Sequence, residues 1–245
     1  MHTFYLDPGS WPSEGDTALI AGDEAQHLIH SARLKTGAEV RLVNGLGLAA
    51  ICEITEIGRN SASLRILETH ALGIPESRVT LAVGWGKSAR RSFLLEKAAE
   101  LEAWEIWFWQ AKRSPFALPD ISGSQRSQAI AGAKQSGNPF VPRIKAVKGG
   151  VSELIGLSSD FAHKQVLLES GFEGTRFMSE DLMGLPGDTL CVIGPEGGFD
   201  ECEVNALLDA GFCGLSMGDS VLRWETASVM ALGLHWWARN RRKAP

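Results

Sequence analysis

Apolar positions along the chain fall into two textures, and the change lies near residues 70–78. Before it, short runs rich in aliphatic and β-branched residues occur at 17–20, 39–43, 49–54 and 62–67. Turn sequences such as Asn44-Gly45 and Arg59-Asn60-Ser61 separate them. Runs of this length bounded by turn residues predict strands. One helical stretch, 24–34, interrupts them, with Ala25, Leu28, Ile29 and Ala32 at i, i+3, i+4 and i+7 spacing. Short strands around a single helix predict a small, partly closed barrel. Beyond Arg78, strand patterns at 79–84, 105–109, 143–147, 165–168, 189–193 and 214–217 alternate with helical ones. The helices are expected at 89–102, 124–135, 151–157, 179–183, 201–210 and 225–239. Alternation at this spacing predicts an α/β domain with a mainly parallel sheet and helices on both faces. The last strands are almost wholly apolar, as strands covered on both faces must be. Residues 72–76 form the natural linker, so the expected domains are 1–72 and 73–245.

Composition narrows the function without naming it. With 44% hydrophobic and 22% charged residues, the chain has the make-up of an ordinary globular protein. No apolar run approaches the roughly 18 residues that cross a bilayer. Residues 1–7 lack the basic start and apolar core of a signal peptide, so a cytoplasmic protein is expected. Cys52, Cys191, Cys202 and Cys213 form no C-x-x-C pair and stand among apolar neighbours, which reads as reduced, buried thiols. The six histidines do not cluster with them, so no metal site is expected. The net charge of −5 argues against a protein held on nucleic acid by bulk charge. Local basic groups are present all the same, at Lys87 with Arg90 and Arg91, Lys112-Arg113, Arg143 with Lys145 and Lys148, and Arg239 to Lys243. Trp104, Trp107, Trp109, Trp236 and Trp237 are placed for core or dimer packing rather than base stacking.

Candidate chemistry lies at two strand exits. In parallel sheets ligands settle where strands end and loops lead into helices. The strand at 189–193 runs into Gly194-Pro195-Glu196-Gly197-Gly198, whose glycines allow positive φ and close approach to a ligand. Asp200 and Glu203 follow at capping-box spacing. The turn is neither G-x-G-x-x-G nor a P-loop, so neither a dinucleotide nor a Walker site is supported. The second exit carries Met217-Gly218, then Val221-Leu222-Arg223-Trp224-Glu225-Thr226. Arg223 and Glu225 there are either an ion pair or part of a pocket shared with the first exit, and Thr226 is a candidate helix cap.

The combination of Ile193-Gly194-Pro195-Glu196-Gly197-Gly198-Phe199 with Leu222-Arg223-x-Glu225-Thr226-Ala227 resembles the RsmE family. These are the ribosomal RNA uracil-N3 methyltransferases of the SPOUT superfamily. Residues 27–37 with Asn44-Gly45-Leu46-Gly47 resemble the family's PUA-like domain, and 96–101, 112–114 and 133–137 resemble further blocks. The resemblance implies a small PUA-like β-barrel followed by an α/β domain with a deep trefoil knot that binds S-adenosylmethionine and forms a homodimer. Carried over by motif, the cofactor residues would be Leu168, Glu169, Gly194, Pro195, Glu196, Gly197, Gly198, Met217, Gly218, Val221 and Leu222. Arg223 would stabilise a uracil anion. Glu196 would orient the cofactor or accept the proton, or else hydrogen-bond its own loop. Arg33, Lys35, Lys87, Arg113, Lys134 and Arg143 would contact 16S ribosomal RNA or the small subunit. His2-Thr3, Asn138 and Trp224 depart from the family pattern, the last from a usual small residue. A methyltransferase for another nucleoside and a non-catalytic RNA-binding protein are the rival readings.

Overall fold

The computed structural model describes residues 1–13, 15–86, 90–172 and 174–243. Contacts divide the chain into two units, Met1–Ile74 with Ile130–Val141, and Pro75–Ala129 with Pro142–Pro245.

The first unit is one five-stranded sheet, β1 (Thr3–Tyr5), β2 (Thr17–Ala21), β3 (Glu39–Val43), β4 (Leu48–Ile57) and β5 (Ser61–Ala71), in the order β1-β3-β4-β5-β2. Neighbours are antiparallel except β1 and β3, and β1 and β2 do not pair among the described residues, so the sheet is an open half-barrel. Alternation does the sorting: Ala62, Leu64 and Ile66 of β5 face a core with Val40, Leu42, Cys52 and Ile54, while Arg65 points out. Register shifts at Ile51/Cys52 and Ile54/Glu56 let the long β4–β5 hairpin bend around that core. The three-residue β1 leaves too short a pattern to be read from sequence. It is anchored by buried Phe4 and by Arg41 N–H donating to His2 C=O.

The helix expected at 24–34 is an α-helix, α1 (Gly22–Gln26), that widens into a π-helix over His27–Ser31. Ala32 N–H reaches back five residues to His27 C=O at 2.9 Å, and the turn ends with Arg33 at φ 52°. The last turns of α3 (Gly123–Ser136) belong to this unit too. Lys134 Nζ lies 2.5 Å from Glu24 Oε1, and Val141 N–H donates to Gly45 C=O. Asn138, where the family pattern differs, closes α3 instead: Gly137 takes φ 70° and Asn138 N–H bonds Ala133 C=O.

The second unit holds a seven-stranded, all-parallel sheet. Its strands are β6 (Val79–Gly84), β7 (Glu105–Trp109), β8 (Arg143–Val147), β9 (His163–Leu167), β10 (Arg176–Phe177), β11 (Thr189–Ile193) and β12 (Cys213–Ser216). Their order is β10-β12-β9-β11-β6-β7-β8. Every residue of β6 and β11 is buried, and successive side chains enter opposite cores. Leu81, Val83, Ile106, Phe108, Cys191 and Ile193 pack with Leu94 and Leu95 of α2 (Arg91–Glu100) and Leu232 of α6 (Trp224–Lys243). Ala82, Trp107, Trp109, Leu190 and Val192 pack with Leu154 of α4 (Gly150–Gly156) and Val204 and Leu207 of α5 (Glu201–Asp209).

Several expectations change here. The helix expected at 179–183 is a single 3-10 turn, Glu180–Leu182, after the two-residue edge strand β10. The last helix begins at Trp224, so Thr226 lies inside its first turn and Arg223 stands before it, with its C=O accepting Ala227 N–H. Cys202 is exposed, unlike Cys52 and Cys191, whose thiols burial pushes up to about 12. Trp107 and Trp109 are core residues, whereas Trp236 and Trp237 are exposed. Arg239, counted among the local basic groups, is buried and donates to Ser77 C=O and Leu101 C=O.

His235 of α6 is 1% exposed, with Nε2 2.9 Å from Gln165 Oε1 of β9. Burial, then the charges of Arg239 and His163, push its imidazole down to about 3 from 6.5. The unfolded chain therefore takes up a proton below pH 6.5 that the folded chain refuses. This stabilisation is complete above pH 6.5 and is lost as pH falls towards 3. Urea titrations should show a loss of about 2 kcal/mol between pH 6.5 and 5 from this group, and His235→Gln should flatten that part of the profile. An unchanged slope in the variant would assign the acid sensitivity elsewhere.

Candidate active site

Three neighbouring strands, β12, β9 and β11, end side by side and release the chain at Met217, Leu168 and Gly194. Sequence order makes the two glycine-containing exits look like successive strands of the sheet. The sheet instead inserts β9 between them: Gln165 is paired with Cys191 on one side and Cys213 on the other. Chain order and spatial order thus part company here, the condition under which a crevice opens at strand ends. The crevice is a cavity of about 820 Å³. Leu168, Glu169, Gly194, Pro195, Glu196, Gly197, Gly198, Met217, Gly218, Val221, Leu222 and Arg223 all line it. Phe172, Phe199, Arg90, Arg113, Trp224 and Glu225 line it as well.

The glycines of the β11 exit serve different needs. Only Gly198 of the three has positive φ, at 71°. A Cβ on Gly194 would lie 3.0 Å from the Phe199 ring, and one on Gly197 would lie 3.2 Å from Arg113 C=O. Those two are glycines for lack of room rather than for backbone conformation. The floor beneath them is fixed by Trp109, which stacks on Phe199 at 5.9 Å between ring centroids and donates its indole N–H to Ile193 C=O at 3.1 Å.

The expected capping box forms in full. Asp200 accepts from Cys202 N–H, and Glu203 Oε2 accepts from Asp200 N–H at 3.0 Å. Its carboxylates also hold a separate loop: Glu203 Oε1 accepts Lys112 N–H at 2.7 Å, and Lys112 Nζ is 2.9 Å from Asp200 Oδ1. The Lys112 ammonium in turn holds the Asp200 carboxyl below its ordinary range. Arg113 is thereby carried to the cavity, where Nη1 reaches Gly197 C=O at 3.4 Å.

The opposite wall is the start of α6. Glu225 is only 3% exposed and pairs with Arg90 (Nε–Oε1 3.5 Å), not with Arg223 two residues before it. Arg223 is exposed at the rim and forms no ion pair among the described residues. Trp224 donates its indole N–H to Glu196 Oε1 at 3.2 Å and so joins the two walls. Sequence reasoning missed Phe172 and met Arg90 only as part of a local basic group, because each lies in a segment with no motif of its own. The signal for Trp224 was present only as a departure from a pattern.

The remaining RNA-contact candidates have varied surroundings. Arg33 and Lys35 are exposed in the first unit and have no ion pair among the described residues. Lys134 is tied to Glu24 and Arg143 to Glu105, so both positive charges are met by carboxylates. Lys87 lies outside the described residues. Among the described residues no three His, Cys, Asp or Glu side chains are grouped as metal ligands.

A family model for the RNA methyltransferase domain matches residues 74–236, and one for the RNA methyltransferase PUA domain matches residues 20–67. The chain belongs to this RNA methyltransferase family. It is 30% identical over 235 residues to ribosomal RNA small subunit methyltransferase E of Mycobacterium bovis, covering 94% of this chain and 89% of that protein. A structure from Porphyromonas gingivalis described as a "probable rRNA-methyltransferase" superposes with a TM-score of 0.83 at 26% identity, over 99% and 100% of the two chains. Ribosomal RNA small subunit methyltransferase E of Neisseria gonorrhoeae, solved with S-adenosylmethionine, shares the fold with a TM-score of 0.80 at 23% identity, over 95% of each chain.

Gly84, at the end of β6, limits how the cavity can be rebuilt. A Cβ there would lie 2.4 Å from Pro195 N and 2.6 Å from Pro195 Cδ. Gly84→Ala should therefore push the 194–198 loop out of place and cost about 1–3 kcal/mol in urea unfolding. Stability equal to the parent would show that the loop gives way freely.

Proposed function

We propose that this protein methylates N3 of a uracil in 16S ribosomal RNA, using S-adenosylmethionine bound in the cavity at the ends of β9, β11 and β12. The observation that carries the proposal is the gathering of one cavity from segments dozens of residues apart. It brings the glycine loop, the apolar walls and Arg223 around the same space. The residues suit that cofactor: Leu168, Ile193, Met217 and Leu222 offer apolar wall, while Glu169 and Glu196 offer carboxylates to its hydroxyl and ammonium groups. When bound, S-adenosylmethionine supplies a methyl group activated by a sulfonium.

The rest of the chemistry falls to the protein. Uracil N3 carries a weakly acidic proton that must leave before N3 attacks in line. Arg223, at the rim and without an ion pair among the described residues, can direct its N–H donors at O2 or O4, where the negative charge develops. Glu196 faces the same space and has two roles open, orienting the cofactor or taking the proton. A base in helical RNA has its Watson–Crick edge occupied, so the target must be unpaired or flipped out.

The remaining parts of the reading rest on family membership. Residues 1–72 are proposed as a PUA-like RNA-binding domain and 73–245 as a SPOUT domain with a deep trefoil knot. Arg33, Lys35 and Arg113 are proposed as RNA contacts, with Lys134, Arg143 and Lys87 in support. The knot domain would form a homodimer, and the exposed Met230 and Trp237 on one face of α6 give it apolar surface to bury. A ribosomal substrate places the protein in the cytoplasm, and no described helix is long and apolar enough to cross a membrane.

Mass spectrometry of 16S ribosomal RNA, incubated with the protein and S-adenosylmethionine, tests the reading directly. A methyl on uracil N3 is expected; a methyl on another nucleoside, or none, overturns it. Arg223→Ala should lower the rate at least about 100-fold while leaving S-adenosylmethionine affinity within about threefold. Equal loss of binding would make Arg223 a structural residue.

A further inference from the structure

We infer that Trp224 is a positioning residue that sets the direction of Glu196 across the cavity, and that it thereby assigns Glu196 to holding the cofactor. This rests on the cavity being the S-adenosylmethionine site. Trp224 opens α6 and is 8% exposed, with its ring packed into the core beneath the site. Its indole N–H donates to Glu196 Oε1 at 3.2 Å, and both side chains line the cavity. Among the described residues no other group donates to Glu196, so Oε2 is left for a ligand.

The chemistry of the pair favours an acceptor in one fixed orientation. Indole has a single N–H, donates only, and has no acceptor through which it could take a proton on. A carboxylate oxygen accepts from that N–H, which cannot donate to it in any other orientation of the ring. The ring that supplies it is buried and belongs to the core cluster that includes Val83, Trp85 and Ala231, so the donor is held in place by burial rather than by a mobile stem. Glu196 itself is exposed on its loop and would otherwise sample several rotamers. One fixed oxygen leaves the other, on a residue that lines the cavity, as an acceptor for a hydroxyl or ammonium group of the cofactor.

The same bond joins two loops that the sheet brings together but does not itself link. Glu196 belongs to the β11 exit and Trp224 to the segment after β12, with β9 between their strands. Adjacent glycines leave the 194–198 loop few side chains with which to anchor itself. A small residue at position 224 would carry no indole N–H for Glu196. The tryptophan therefore adds a restraint that the family pattern lacks.

A double-mutant cycle on the full chain tests this, with S-adenosylmethionine and S-adenosylhomocysteine affinities read by calorimetry and methyl transfer read at saturating cofactor. Trp224→Phe keeps an aromatic ring and removes the donor; Glu196→Gln weakens the acceptor. Trp224→Phe should weaken both affinities by about tenfold with the saturated rate within about threefold of the parent. The double variant should be no weaker than Glu196→Gln alone by more than about twofold, because a residue acting through Glu196 has nothing left to act on. Thermal unfolding of each variant confirms that the chain is folded. Affinity of Trp224→Phe within about twofold of the parent, or losses that multiply in the double variant, would overturn the inference. A saturated rate that falls as far as the affinity would return Glu196 to the proton-accepting role. A parent protein that binds neither ligand would overturn the reading of the cavity itself.

Discussion

Everything at the candidate site depends on the backbone pairing of β9 between β11 and β12. Hydrogen bonds from both edges of β9 fix three strand ends side by side, with Gln165 paired with Cys191 and Cys213 at once. Parallel strands all point the same way, so their exits open on one end of the sheet. Swap β9 and β12 in that order and Leu168, Gly194 and Met217 would no longer border a common space. The side chains of the strands reinforce the order, since β11 is buried along its whole length and tolerates no solvent-facing edge.

On that frame the loops are held by a small number of specific contacts rather than by regular structure. Trp109 supports the β11 exit from below through Phe199 and Ile193, while Gly84 and Gly194 leave room for chains to pass at van der Waals distance. The capping box of α5 has a second use. Its two carboxylates fix Lys112 and so present Arg113 to the cavity. Buried Glu225 draws Arg90 to the other side. Arginines therefore border the space from three separate segments, at positions 90, 113 and 223. Such an arrangement suits a polyanion entering a site that also contains carboxylates, in a chain whose net charge is negative.

The sequence alone was enough for the alternation of strand and helix after residue 78, because buried strands and amphipathic helices impose different hydrophobic periods on it. It was enough for the strands of β4 and β5 with the turn signal between them, and for the capping box at Asp200 and Glu203, whose chemistry is local. The glycine turn and the Arg223 segment stood out for the same reason, being short motifs at strand ends. Where the signal was weak, the reading failed in predictable ways. Three-residue β1 and two-residue β10 are too short to carry a period, and residues 179–183 lack the length to make more than a 3-10 turn.

Tertiary structure decided what depends on neighbours distant in sequence. The strand order is the main case, since a parallel sheet can accept several orders with the same pattern of buried residues. The membership of Ile130–Val141 in the first unit is another, because its contacts with Glu24 and Gly45 leave no trace in its own composition. Which arginine meets Glu225 is a third: sequence proximity left Arg223 open as one partner, and the fold supplied Arg90. Position 224 holds a tryptophan where the resembled family pattern has a small residue, and only the fold makes Glu196 its partner. Local chemistry is written in residues that are close along the chain. A pocket is made of residues that are close in space, and it takes the pairing of the strands to bring them together.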